Sequence, residues 1–210
     1  MPPSTIVATE SIDGFFQEIV TGAIRSRRVE ATGEATTYLV ALLADFAMPE
    51  KNAARAMDRP LTFLLDEALH TTQPAERFER LRLLGDGVLY STGFFGDHFE
   101  ARGVDQKYLI GIGAAAYGAA SSMLVGHASG QTSANSEPFP DVFGELAEKF
   151  GVFVDVVGEV ANLTIAKGAA TSQSLLHIYE RWLKTGSESL ATALNERGLV
   201  PVRGTRGTLQ

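Results

Sequence analysis

The chain has 210 residues, no cysteine and a formal charge of −7. Without thiols it can form no disulfide, iron–sulfur cluster, Cys-ligated zinc site or thiolate nucleophile. Its acidity disfavours nucleic acid or anionic lipid as a partner, since both demand clustered Lys and Arg. The two small basic groups, Arg25 with Arg27 and Arg28, and Arg203 with Arg206, read as solvated surface charge.

Every strong periodicity is helical. Residues 11–26 put Ile12, Phe15, Phe16, Ile19, Val20, Ala23 and Ile24 on one face behind Ser11 as N-cap. Residues 33–47 do the same with Tyr38, Leu39, Leu42, Leu43 and Phe46, and Pro49 stops that run. Residues 50–60 read as an exposed connector. Pro60 then opens a short helix carrying Leu61, Leu64, Leu65, Ala68 and Leu69.

After Pro74 a long helix is expected, with Phe78, Leu81, Gly85, Val88, Thr92, Phe95 and Phe99 as its inner seam. Glu79, Arg82, Asp86, Asp97 and Glu100 fall on the opposite side. Glycines at 85, 87, 93 and 96 predict a close helix crossing or a kink near 93–96. A helix over 105–127 follows. Its segment Tyr108 to Gly126 is uncharged and long enough to span a bilayer, but rich in Gly, Ala and Ser; it reads as a buried central helix. Gly111, Ala115, Ala119 and Ser122 form a ridge on which a neighbouring helix can approach closely.

Residues 128–139 form the one obvious loop. A third long helix over 141–167 turns Phe143, Leu146, Phe150, Phe153, Val157 and Val160 inward and an acidic line outward: Asp141, Glu145, Glu148, Asp155 and Glu159. A hairpin of two short helices, turning at Thr185-Gly-Ser and ended by Gly198, completes the chain. Its second helix carries too little positive charge for a DNA-reading helix. The expected organisation is one all-α domain over 1–198, a bundle of seven or eight helices, with 78–100, 105–127 and 141–167 as central layer. Residues 199–210 are expected to form a flexible tail.

No complete catalytic motif is present. Gly111-Ile-Gly113 imitates a dinucleotide fingerprint, but it lacks the preceding strand and the later ribose-binding acid. The histidines are the best chemical lead. Glu67 and His70 form a Glu-x-x-His pair, His177 and Glu180 the reverse pair, and His98 follows Asp97. Carboxylate and imidazole three residues apart share a helix face, and helical bundles use such pairs to hold two iron or manganese ions. Glu67, His70, His98, His177 and Glu180 are therefore the candidate metal ligands of an alternative reading, a di-metal oxidase or oxygenase. Tyr90, Phe94, Phe95 and Tyr108, beside the loosening glycines, are candidates for an apolar pocket, as in a sensor that binds haem or another apolar ligand.

The runs LLGDGVLYSTGFFGDHFEARGVDQKYLIGIGAAAYG and LLHIYERWLKTGSESLATALNERGLVP resemble an uncharacterised family of bacterial all-helical proteins. That resemblance implies a bacterial, intracellular, single-domain protein and assigns no activity. The leading expectation is a non-catalytic interaction or scaffold protein without a cofactor, a homo-oligomer or the partner of another protein, binding neither nucleic acid nor membrane. The first ten residues, MPPSTIVATE, have neither the basic nor the apolar region of a secretory signal, so the expected compartment is the cytoplasm.

Overall fold

A computed structural model describes residues 12–47, 59–128, 141–168 and 171–202. Among them the fold is all-α: nine helices and no strand. The expected cap Ser11, most of the 50–60 connector and all but the first residue of the 128–139 loop lie outside the described residues. Contacts divide the chain into two compact units, Met1–Val157 and Gly158–Gln210.

The first unit begins with α1 (Ile12–Arg27), which buries Phe16, Ile19, Val20 and Ala23 against α2 (Gly33–Ala47). Ile12, expected on that inner face, is exposed at the helix start. Short α3 (Leu61–His70) leads through Pro74 into α4 (Pro74–Ala101), a kinked helix of 28 residues. The kink lies at Phe95, which has non-helical backbone angles, inside the glycine segment that predicted it. Phe95 consequently leaves the expected inner seam and is 50% exposed.

Helix α5 (Gln106–Ala128) pairs with α4 along the seam Leu109, Ile112, Ala116 and Ala120. The expected third long helix is two: α6 (Val142–Glu148) and the start of α7 (Phe150–Gly168), separated where Lys149 leaves helical geometry. Asp141 caps α6 by accepting from the Gly144 amide at 2.8 Å. Phe143, Leu146, Phe150 and Phe153 are buried as expected. The rings of Tyr38, Phe78, Tyr117, Phe143 and Phe150 meet pairwise at centroid distances of 5.3–6.4 Å, mostly edge-on or tilted.

Close approach depends on two glycines. A Cβ at Gly113 would fall inside the Phe150 ring, and one at Gly85 inside the Tyr117 ring. The small-residue ridge does something else: Gly111, Ala115 and Ser122 are exposed and Ala119 half-buried, so none of the described helices leans on it. The side chains of Ala116, Tyr117 and Ala120, on the other side of the helix, meet the core instead.

In the second unit the end of α7 combines with α8 (Ser172–Thr185) and α9 (Glu188–Asn195). Ala166, Ile178, Trp182, Leu190, Ala193 and Leu194 form its core. Thr171 and Ser174 cap α8 reciprocally, and Gly186, in the left-handed region at φ 65°, ends it. The described part of the expected flexible tail is tied down. The Leu199 amide donates to Leu194 O at 3.0 Å and the Tyr179 hydroxyl to Val202 O at 3.2 Å.

Candidate functional site

Three places in the molecule combine unusual chemistry with position. The first is the outward face of α5. Tyr108, Gly111, Ala115 and Ser122 recur at spacings that keep them on one side, and Leu124 and Val125 are 46% and 51% exposed nearby. Over Gln106–Val125 the helix is long and apolar enough to cross a membrane, yet only 39% of its most apolar stretch is buried. It is the core helix the pattern predicted on one side and an uncharged surface on the other.

The second is a buried carboxylate in the first unit. Asp86, assigned to the solvent side of α4 by periodicity, is only 5% exposed. The hydroxyls of Tyr38 on α2 and Tyr117 on α5 both donate to its Oδ1, at 2.6 and 2.7 Å, and Arg82 Nη1 donates to Oδ2 at 2.9 Å. Tyr117 reaches Asp86 because Gly85 leaves its ring the space to cross α4. Arg82 also grips Glu79 through Nε at 3.1 Å and Nη2 at 2.6 Å. Burial pushes the Asp86 carboxyl above the usual carboxylate range, although the two tyrosines and Arg82 pull the other way. Burial and the neighbouring Asp86 charge raise both tyrosine hydroxyls well above their ordinary range. Hydrogen bonding to Glu79 leads the causes that keep Arg82 charged.

A cavity of about 300 Å³ opens beside this cluster. Tyr38, Ala41, Leu42, Asp45 and Phe46 of α2 line one wall, and Arg82, Leu83 and Asp86 of α4 the other. Phe46 stacks on Tyr90 with ring centroids 4.2 Å apart, and Tyr90 stacks on Phe94 at 4.7 Å. The predicted aromatic group is thus partly assembled: Tyr90, Phe94 and Phe95 touch one another. Tyr108 is exposed on α5. Of the cavity's walls, periodicity had assigned Tyr38, Leu42 and Phe46 to the core and Arg82 and Asp86 to the surface. One signal marks it in the chain: an aspartate between two helix-interior glycines, four residues after an arginine.

The third place lies in the second unit. Glu159, expected on the outer acidic line, is 2% exposed. It accepts from Ser187 Oγ at 3.0 and 3.1 Å, from Ser189 Oγ, and from Asn162 Nδ2 at 3.2 Å, while Arg181 donates to Asn162. Ser187 is also the N-cap of α9, so the carboxylate sits at a helix N-terminus among donors, where negative charge is favoured. This is a structural junction. Of the other members of that line, Asp155 and Glu148 are exposed, and Glu145 bonds Thr32 and Lys149.

Within the first unit the candidate metal ligands Glu67, His70 and His98 do not gather, and His177 and Glu180 belong to the second unit. Glu67 on α3 is held by Arg59 at 2.9 Å and Arg80 at 3.0 Å, which depress its carboxyl below the usual range. His70 turns back to its own Asp66, 3.2 Å away, and both are exposed. His98 is exposed beside Phe99 on α4. His177 and Glu180 are exposed on α8, lining an open hollow with Thr171 and Gln173. Among the described residues no three His, Asp or Glu side chains converge as a metal would require. One carboxylate–imidazole pair per helix supplies the spacing, but no described residue brings a third ligand to it.

No family model matches this chain, and comparisons with curated proteins and with solved structures return no match.

Proposed function

We propose that this chain is a non-catalytic helical interaction protein that associates with a second copy of itself through the outward face of α5. One observation carries the reading: an uncharged helix face, from Tyr108 past Ser122 to Val125, stands exposed on a chain in which a fifth of the residues are charged. Apolar surface left in water without charge is favourably covered. Small residues at 111, 115, 119 and 122 permit two such helices to cross near the short end of the ~8–10 Å range for helix pairs. A face that pairs with itself is isologous, and the uncharged ridge brings no like-charge repulsion into such a pairing.

Magnitude sets the expected strength. Twenty residues of helix run about 30 Å, and a strip about 10 Å wide covers on the order of 300 Å² per copy. A stable interface buries about 800 Å² per partner. The α5 crossing alone therefore supports a weak dimer unless flanking surface joins it.

Light scattering across a concentration series tests the proposal. The expected result is a mass rising toward twice that of the chain, and an Ala115→Glu variant that stays monomeric with unchanged helical circular dichroism. A wild-type chain that remains monomeric at the highest soluble concentration overturns it. So does partition into membranes with release only by detergent, which would make lipid the cover for the same face.

A further inference from the structure

Pairing through α5, on which this inference rests, can bring the second copy parallel or antiparallel, and the two edges of the strip are not alike. Along one edge run α6 and the start of α7. Asp141 accepts from Ser121 Oγ at 2.6 Å, a Cβ at Gly118 would touch Ala147, and one at Gly151 would touch Ile110. Asp141, Glu148 and Asp155 are exposed on these helices at intervals of seven residues, two turns each, so they form one row. None of the three is in an ion pair with another described residue. Helix α5 itself carries one Lys and no Arg, Asp or Glu: Lys107. The other edge is bordered by α3, which packs on both α4 and α5. Charges there are paired off: Glu67 with Arg59 and Arg80, Arg80 also with Glu76, and Asp66 with His70.

When a face meets its own copy, the two-fold axis lies in the plane of the interface. An axis running across α5 makes the helices antiparallel, and each edge then meets itself, acidic row against acidic row. An axis running along α5 makes them parallel, and each edge meets the opposite one, acidic row against the paired charges of α3. Facing like charges cost about what opposite charges gain, and Lys107 offsets only one of the three. The helix dipoles favour the antiparallel form, but only within the end turns, where solvent screens them. Three facing pairs of exposed-charge strength amount to a preference of about three- to tenfold. We propose that the two copies lie parallel, with Asp141, Glu148 and Asp155 disfavouring the antiparallel arrangement.

A chain without cysteine accepts single thiols cleanly. Tyr108→Cys and Ser122→Cys place thiols about 21 Å apart on the strip. In a parallel pair each thiol lies about 10 Å from its own copy; in an antiparallel pair it lies beside the other kind. Each variant alone and an equimolar mixture are treated with a short bis-maleimide, and the products are identified by mass. The expected result is cross-linking of each variant alone, with like products exceeding the mixed product by about three- to tenfold at ~10 mM salt. That excess should fall toward parity at ~1 M salt, where the Debye length is about 3 Å. Glu148→Gln with Asp155→Asn should remove it at low salt. Predominance of the mixed product overturns the parallel arrangement and leaves self-pairing standing. So does an excess that neither salt nor the double substitution changes, since charge would not then set the direction. A wild-type chain that is dimeric by light scattering while no thiol combination cross-links overturns both, because the dimer then uses another face. A strictly monomeric wild type removes both as well.

Discussion

Arg28 is the one described non-glycine residue in the left-handed region, with φ 53°. It ends α1: the Arg28 amide donates to Arg25 O at 3.1 Å and the Val29 amide to Ile24 O at 3.0 Å. A side chain there costs about 1–2 kcal/mol, partly offset by the larger unfolded-state entropy of glycine. Arg28→Gly should therefore raise stability by about 0.5–1 kcal/mol, read as a shift in the urea midpoint at constant slope. Two glycines in α5 give a sharper contrast. A Cβ at Gly111 meets nothing within 4 Å, whereas one at Gly113 collides with Phe150. At dilutions where the chain is monomeric, Gly111→Ala should stabilise by up to about 1 kcal/mol. Gly113→Ala should destabilise by about 1–3 kcal/mol through overpacking. Equal effects from the two substitutions would contradict the packing described. The chain itself marks both as helix-interior glycines; only the opposing ring tells them apart.

At the scale of the element, α9 depends on Ser187, which caps its first turn and donates to Glu159. Ser187→Ala should cost about 1–2 kcal/mol, the cap together with a donor lost to a buried carboxylate. Aspartate is ordinarily as good a cap as serine. Ser187→Asp should nonetheless be the worse variant, because it sets a second carboxylate against Glu159; thermal melts of both variants check the order. The same residues explain one failure of periodicity. Glu159 falls on the acidic side of its helix by spacing alone, yet a second helix end arrives there and buries it. Phe95 fails in the opposite sense: helical spacing continues the seam through it, but the kink among the glycines turns it outward. Lys149 divides a third helix that by apolar spacing reads as continuous.

For the whole molecule, the titrating groups pull in different directions. Asp86 has a raised carboxyl, so its contribution to stability is fully present below the unfolded value of about 3.9 and is lost as pH rises through the folded one. Glu67 and Glu79, depressed by their arginines, contribute above the usual carboxylate range and lose that contribution as pH falls. The Tyr38 and Tyr117 hydroxyls are raised, so their share persists through neutral pH and disappears in alkali. Tyrosinate absorbance should therefore show these two of the five tyrosines ionising only together with the loss of helical circular dichroism. Both titrating smoothly in a still-folded chain would mean the Asp86 cluster is open to solvent.

Helix positions, the kink segment and the apolar faces follow from the sequence, because they depend on spacing along one element and on glycine and proline chemistry within a turn of their site. The absence of thiol chemistry follows from composition in the same direct way. Which side of α5 is core, whether Asp86 and Glu159 are solvated, and whether histidines on separate helices meet were decided only by tertiary packing. Those outcomes depend on what another element, tens of residues away, places opposite each face. A helix's own periodicity carries its amphipathicity but not the identity of its neighbour, and a carboxylate is buried or exposed according to the donors that neighbour brings.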